Sequence, residues 1–148
     1  DHTVLDLLDR FRGTLVIVRL IEYMDVGNRN HWEPALVVPS KELRERIAAR
    51  WPLQARAENY RGEVAERYAY ADGAGEIGFI SSVSQPFCGA CSRARLSSEG
   101  VLYTCLFATR GMDLRAPLRA GADDAALSQL IRDAWGRRAD RYSEVRAE

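Results

Sequence analysis

Residues 64–83, VAERYAYADGAGEIGFISSV, contain two β-rich runs joined by a turn signal. The first run covers 64–70 and contains Val and Tyr. The second covers 75–83 and contains Ile, Phe and Val. Between them, Ala71-Asp72-Gly73 supplies residues that tight turns favour. The stretch therefore predicts an antiparallel β-hairpin.

The same stretch contains a glycine pattern with a second interpretation. Gly73, Gly75 and Gly78 match G-x-G-x-x-G, the pattern of a dinucleotide-binding loop. Such a loop needs a helix that begins at the glycines, whereas residues 79–83 are strand-forming. We therefore predict that these glycines form a hairpin turn.

The segment before the hairpin predicts a helix, a strand and a second helix. Residues 4–11 have a helical pattern that ends at Gly13. Residues 14–23 (TLVIVRLIEY) are almost continuously apolar, which suits a central strand buried on both faces. Ser40 is the expected N-cap of the next helix, and Pro52 ends it.

A second hairpin and two further helices are predicted after the first hairpin. Residues 94–97 and 101–107 are the expected strands of that hairpin. A short helix is predicted over 112–119, followed by a longer one capped by Asp123. The charged ending, residues 137–148, is predicted to be a solvated tail.

This order of elements predicts an α+β fold. The single strand-helix unit before the hairpins fits the last unit of a partial TIM-like barrel, followed by an antiparallel hairpin sheet and C-terminal helices. We predict one domain over residues 1–148, with the end of the barrel at 1–52, the antiparallel region at 62–108 and C-terminal helices at 112–136. The chain opens inside a helical pattern without an initiating Met, so we interpret it as a fragment.

The composition is ordinary for a soluble globular protein, with 148 residues, 47% hydrophobic residues and a formal net charge of zero. A neutral chain argues against a polyanion-binding surface, so nucleic acid is not an expected partner. There is no signal-peptide pattern and no apolar run near eighteen residues, so we expect no membrane association and a cytoplasmic location. Lys41 is the one lysine among 21 basic residues. The arginine bias reflects either genome composition or a local demand for phosphate-binding forks.

The three cysteines carry the strongest chemical signal. Cys88 and Cys91 form a C-x2-C pair, and Cys105 follows after thirteen intervening residues, in the returning strand of the second hairpin. That hairpin is expected to fold Cys105 back beside Cys91. Three converging thiolates indicate a metal or cluster site with one coordination position left open.

Other interpretations of these cysteines stay open on the residues alone. A redox pair is expected to open a helix, whereas Pro86 and Phe87 precede this pair and a strand follows it. Inert core thiols are a second alternative, and zinc with a fourth ligand from His31 or His2 is a third. We favour an iron–sulfur cluster.

Three arginines are candidate ligand contacts, and two of them are candidates for binding phosphate. Arg93 and Arg95 alternate after the cysteine pair, so on a strand their side chains leave the same face. Guanidinium forks bind phosphate in bidentate fashion, although the two arginines could instead balance the thiolate charge. Arg19 stands in the apolar run and must either pair with Glu22 or another neighbour, or face a ligand.

The motifs around these residues resemble the C-terminal cluster region of the radical S-adenosylmethionine GTP 3′,8-cyclases of molybdenum cofactor biosynthesis. The residues that carry the resemblance are 77–88 (IGFISSVSQPFC), 91–97 (CSRARLS), 100–108 (GVLYTCLFA), 18–28 (VRLIEYMDVGN), 38–40 (VPS), 62–65 (GEVA) and 140–143 (DRYS). They span nearly the whole chain.

The resemblance implies three sets of site residues. These are Cys88, Cys91 and Cys105 as ligands of a four-iron four-sulfur cluster, Arg93, Ala94, Arg95 and Arg19 as contacts to the substrate GTP, and Met24 as a contact to S-adenosylmethionine. The non-cysteine iron of that cluster is implied to meet the guanine base, which accounts for the open position.

The family's reaction needs more than this chain. Family members cleave S-adenosylmethionine at a second, N-terminal 4Fe-4S cluster, and the 5′-deoxyadenosyl radical abstracts the hydrogen at C3′ of GTP before the ribose radical closes onto C8. The C-x3-C-x2-C loop that makes the radical, most of the barrel and the glycine-glycine tail are absent here. The resemblance thus implies that the full-length protein is a lyase and that this chain alone is inactive.

The implied partners are GTP and the missing N-terminal barrel. Without that barrel, apolar surface around residues 14–23 is expected to be exposed, which leaves association into a homodimer open. The alternative to the enzyme fragment is a stand-alone zinc or iron–sulfur module that recognises a nucleotide or a partner.

Overall fold

The computed structural model describes residues 1–26 and 31–146, and the chain divides into two compact units, Asp1–Cys91 and Ser92–Glu148. Each unit contains its own β-sheet. No helix in the described part of the chain is both long enough and apolar enough to cross a lipid bilayer. The mixed helix and sheet content confirms the predicted α+β class.

The first unit is a four-stranded sheet with two helices. Its elements in chain order are α1 (Val4–Phe11), β1 (Val18–Ile21), a 3₁₀ turn (Pro34–Leu36), α2 (Ser40–Arg50), β2 (Leu53–Arg56), β3 (Glu66–Tyr70), β4 (Glu76–Ile80) and a second 3₁₀ turn (Cys88–Ala90). The strand order is β1-β4-β3-β2, in which β1 runs parallel to β4 and the other pairs are antiparallel.

The core of this unit lies between the helices and one face of the sheet. Leu8 from α1 and Ile47 from α2 are fully buried against Ile77 and Phe79 of β4. Tyr68 of β3 meets Phe79 edge to face, with ring centroids 5.6 Å apart. Both helices therefore cover the same face of the sheet.

The prediction that residues 14–23 form a central strand buried on both faces is wrong. β1 covers Val18–Ile21, lies at an edge of the sheet, and alternates between half-buried and exposed residues. The helices cover one face only, so Val18 and Leu20 pack on the core while Ile21 is 56% exposed. The expected apolar surface is present, because Leu15, Val16, Ile17, Ile21 and Tyr23 are all exposed.

The first predicted hairpin is confirmed as β3 and β4. Gly73 and Gly75 occupy its turn with φ of +78° and +108°, a region that favours glycine. Asp72 Oδ1 accepts a hydrogen bond from the backbone N–H of Ala74 at 3.1 Å, which closes the turn. The G-x-G-x-x-G pattern is thus a hairpin turn followed by a strand, as predicted.

The second unit is a small sheet followed by helices. Its elements are β5 (Arg95–Leu96), β6 (Val101–Tyr103), β7 (Met112–Asp113), α3 (Arg115–Arg119), α4 (Asp124–Gly136) and α5 (Tyr142–Val145). The antiparallel order β5-β6-β7 confirms the second hairpin, although its strands are shorter than predicted. The Asp123 side chain accepts from the Ala126 N–H at 2.8 Å and caps α4, as predicted.

Two predictions for the second unit need correction. The predicted helix over 112–119 begins only at Arg115, because Met112–Asp113 pairs with β6 and the Asp113 carboxylate accepts from the N–H groups that open α3. The predicted solvated tail instead contains α5, and the Tyr142 ring stacks on Phe107. Aromatic stacking thus folds the charged ending onto the unit.

Candidate functional site

Cys88 and Cys91 share one turn of backbone in the first unit. The Cys91 N–H donates to the Cys88 carbonyl at 3.3 Å, around the 3₁₀ turn Cys88–Ala90. Both side chains are partly exposed thiols. A C-x2-C pair on one such turn is a common arrangement of two ligands of one metal, and that role stays a prediction here.

Cys105 lies in the second unit, in the loop that follows β6. It is also a partly exposed thiol, and its Sγ accepts a hydrogen bond from the backbone N–H of Phe107 at 3.4 Å. Hydrogen bonds to cysteine sulfur tune the reduction potential of iron–sulfur clusters. Cys105 is one of the residues that line a cavity of about 310 Å³. The lining residues are Cys105, Phe107, Ala108, Thr109, Arg110, Asp140, Arg141 and Tyr142.

The donor chemistry of these cysteines fits a soft metal centre. All three are thiols, and thiolates are the ligands of zinc and of iron–sulfur clusters. Within residues 1–26 and 31–146, no three His, Cys, Asp or Glu side chains are already gathered into a metal-binding group. The ligand set therefore stays a prediction from the pattern of cysteines.

Arg19 lies on β1 directly opposite Gly78 of β4. A Cβ at Gly78 would come within 3.3 Å of the Arg19 Cγ, so the glycine leaves room for the arginine stem. The Arg19 guanidinium is 3.6 Å from the carboxylate of Glu63, whose side chain is 2% exposed. Of the alternatives for Arg19, pairing with Glu22 is therefore wrong and pairing with another neighbour is observed. The side chain is still 48% exposed and accessible to a ligand.

Glu22 is a structural centre that the sequence did not reveal. It is 4% exposed, and its carboxylate accepts from the backbone N–H groups of Ser40 at 2.7 Å and of Val83 at 2.8 Å. Ser84 donates twice, from its N–H at 2.8 Å and from its hydroxyl at 2.5 Å. Burial alone raises the pKa of Glu22, but these hydrogen bonds outweigh it and hold the pKa below its usual value.

The prediction that Ser40 caps α2 is corrected by the same contacts. Ser40 is the first residue of α2 itself. The N-cap position is occupied by Pro39, whose side chain makes no capping hydrogen bond. The Ser40 N–H is one of the donors that a helix leaves without an intrahelical partner, and Glu22 satisfies it. A carboxylate at this end is also favoured by the helix dipole.

The remaining predicted site residues are close in sequence to Glu22 or to Cys91. Met24 is half-buried just beyond β1, and residues 27–30 after it lie outside the described residues. Arg93 and Ala94 are exposed, and Arg95 is half-buried opposite Tyr103. β5 begins at Arg95, so the argument that strand alternation places Arg93 on the same face does not apply.

The fold and site define a two-unit α+β protein with a C-x2-C turn after one sheet and a third thiol in a loop of the other. Residues 16–144 match the family described as Molybdenum Cofactor Synthesis C, and the chain belongs to that family.

Relatives of known name agree with the family and with the resemblance noted from the motifs. The chain is 59% identical over 147 residues to a GTP 3′,8-cyclase of Xanthomonas axonopodis pv. citri (strain 306), covering 99% of this chain and 43% of that protein. It is 53% identical over 151 residues to the GTP 3′,8-cyclase of Acidothermus cellulolyticus, covering 99% of this chain and 42% of the relative. The chain is 51% identical over 146 residues to the GTP 3′,8-cyclase of Synechococcus sp. (strain CC9605), covering 99% of this chain and 41% of that protein. The chain thus spans less than half the length of these relatives.

Proposed function

We propose that this chain is the substrate-binding and cluster-binding C-terminal part of a GTP 3′,8-cyclase. That enzyme converts GTP to (8S)-3′,8-cyclo-7,8-dihydroguanosine 5′-triphosphate in the first step of molybdenum cofactor biosynthesis. The observation that carries the proposal is the 59% identity, over 99% of the chain, to a protein of that name. The chain alone is expected to be inactive, and the whole enzyme to work in the cytoplasm.

Cys88, Cys91 and Cys105 are the proposed ligands of a 4Fe-4S cluster. Two observations support this assignment. Cys88 and Cys91 share one turn, and the Phe107 N–H donates a hydrogen bond to the Cys105 sulfur. When bound, a cluster with three cysteine ligands supplies an iron with a coordination position open to the substrate base.

Four residues are the proposed contacts to GTP. Arg93, Arg95 and Arg19 present guanidinium groups, which pair with phosphate oxygens through charge-assisted hydrogen bonds. Ala94, between the two arginines, has a small side chain that lets a ligand approach the backbone. Met24 is the proposed contact to S-adenosylmethionine, which binds at the second 4Fe-4S cluster in the rest of the enzyme.

The rest of the protein is proposed to complete a barrel. β1 and α2 would be the last strand-helix unit of a partial TIM-like barrel, supplied otherwise by the N-terminal part. The exposed apolar residues Leu15, Val16 and Ile17 beside β1 support this proposal, because large apolar patches on a protein surface mark interaction sites.

Metal analysis of the anaerobically purified chain tests the ligand assignment. After reconstitution with iron and sulfide, we expect about four irons and four sulfides per chain, as in a 4Fe-4S cluster. Cys88→Ala, Cys91→Ala and Cys105→Ala should each reduce this content, whereas the exposed neighbour Ser92→Ala should not. One zinc per chain without iron would contradict the proposal and favour the stand-alone zinc module.

Nucleotide binding tests the substrate assignment separately. The reconstituted chain should bind GTP more tightly than ATP, because the base meets the cluster; equal affinities would contradict base recognition. Arg93→Ala and Arg95→Ala should each weaken the binding of GTP and of ATP, since the two nucleotides carry the same triphosphate. Arg132→Ala, an exposed arginine on α4, is the matched control for loss of one positive charge.

A further inference from the structure

The loop that carries Cys105 is held on both sides by the end of the chain. Just before the cysteine, the Thr104 hydroxyl donates to Asp140 Oδ2 at 2.5 Å. Two residues after it, the Phe107 ring stacks on Tyr142, with centroids 4.2 Å apart and planes 19° from parallel. The loop therefore has two independent attachments, one polar and one aromatic.

Arginines reinforce both attachments. The Arg146 guanidinium lies 5.2 Å from the Phe107 centroid and 5.4 Å from the Tyr142 centroid, within the range of cation–π attraction. Arg138 Nε is 3.7 Å from the same Asp140 oxygen that accepts from Thr104. Hydrogen bonds to a carboxylate are charge-assisted and stronger than those between neutral groups, and the bond from Thr104 to Asp140 is of this kind.

The aromatic attachment also places a donor on the cysteine sulfur. Phe107 contributes its ring to the stack and its backbone N–H to Cys105 Sγ. Displacing the ring would move the N–H and weaken the bond to sulfur. The position of Tyr142 is thus linked to the chemical environment of the thiol.

We propose that Asp140 and Tyr142 are positioning residues for Cys105, and we call Asp140, Tyr142 and Arg146 the C-terminal clamp. The clamp fixes the direction of the Cys105 side chain and keeps the Phe107 N–H on its sulfur. That the positioned thiol is a cluster ligand rests on the proposed function. Outer-shell partners of metal ligands commonly change metal affinity by about 10-fold to 100-fold, so a clamp of this kind has a measurable effect.

The first test measures the cluster. In the reconstituted chain, Asp140→Ala and Tyr142→Ala should release iron to a chelator about 10-fold to 100-fold faster than the parent. Tyr142→Ala should also shift the reduction potential to more negative values, because a hydrogen bond to sulfur stabilises the reduced, more negative cluster. Asp140→Asn keeps an acceptor for Thr104 and Tyr142→Phe keeps the stack, so both should stay near the parent.

The second test needs no cluster. In a Cys88→Ala, Cys91→Ala background, Cys105 is the one remaining thiol, and its alkylation by iodoacetamide reports how firmly the loop is held. Asp140→Ala and Tyr142→Ala should each accelerate alkylation. Asp123→Ala removes the cap of α4 without touching the loop, so it controls for a general loss of stability in this unit.

The two tests separate the clamp from the proposed function. If the alanine variants match Asp123→Ala in iron release and in alkylation, the clamp is wrong although the parent binds a cluster. If the parent takes up no iron, the ligand role fails, and the alkylation rates alone decide whether the clamp holds Cys105.

Discussion

Ser84 donates two hydrogen bonds to the carboxylate of Glu22, a residue 62 positions earlier in the chain, through its backbone N–H at 2.8 Å and its hydroxyl at 2.5 Å. The same carboxylate accepts from Ser40 at the start of α2 and from Val83. One buried side chain thus joins the end of β1, the start of α2 and the segment that leads toward Cys88. Met24 follows Glu22 closely in the chain, and the C-x2-C turn follows Ser84.

Glu22→Ala should destabilise the chain by about 3 kcal/mol, because it leaves several buried N–H groups without an acceptor. Urea unfolding followed by circular dichroism measures the change. Glu45→Ala is the matched control, since Glu45 is exposed and its contact with Lys41 is 4.0 Å long. The control should stay within about 0.5 kcal/mol. Equal effects of the two substitutions would contradict the role of Glu22.

Glu22 should also make stability depend on pH. Its folded pKa is lower than its unfolded pKa, so its contribution is fully present above about pH 4.3, the unfolded value, and is lost as the pH falls through the folded value. Between about pH 6 and 3, the free energy of unfolding should therefore fall more steeply for the parent than for Glu22→Gln, whose side chain does not ionise. Parallel curves for the two proteins would show that Glu22 does not ionise differently on folding.

The elements predicted correctly from the sequence depend on neighbouring residues. The helix over residues 4–11, the hairpin turn at Asp72 and Gly73, and the cap at Asp123 are each fixed by residues within a few positions. Local hydrogen bonds and φ preferences specify these features without help from the rest of the fold. They are accordingly visible in a short window of sequence.

The features that were missed depend on distant partners. Glu22 is visible as a charge in an apolar run, but its acceptor role depends on donors 18 to 62 positions away. The charged residues of the tail predict a solvated segment, whereas Tyr142 stacks on Phe107, a partner in another loop. The apolar composition of residues 14–23 predicts a strand buried on both faces, but composition does not show that both helices pack on one face of the sheet.

Gly111→Ala should destabilise the chain by about 1 to 3 kcal/mol through overpacking. An added Cβ would lie 2.6 Å from both the Leu102 carbonyl oxygen and Val101 Cγ1, on β6, so backbone has to move. Gly136→Ala is the control, because nothing lies within 4 Å of its Cβ position at the end of α4. It should be neutral or stabilising by up to about 1 kcal/mol. Thermal unfolding distinguishes the two, and an unchanged melting temperature for Gly111→Ala would contradict the close approach.

Arg19 has two roles to separate, as partner of Glu63 and as proposed contact to GTP. Arg19→Ala should cost about 1 kcal/mol of stability, because the buried Glu63 loses an ion-pair partner. The cost is limited, since Glu63 keeps its hydrogen bonds from Asn59 and Arg19 itself is half-exposed and screened. Adding Glu63→Gln removes the buried charge that Arg19 balances and should restore most of that stability. If Arg19 contacts the triphosphate, GTP affinity should stay about tenfold weaker in the double variant, the equivalent of about 1.4 kcal/mol.

Recovery of GTP affinity together with stability would mean that Arg19 acts only through Glu63. Isothermal titration and urea unfolding of the same four proteins, parent, two single variants and the double variant, distinguish these outcomes.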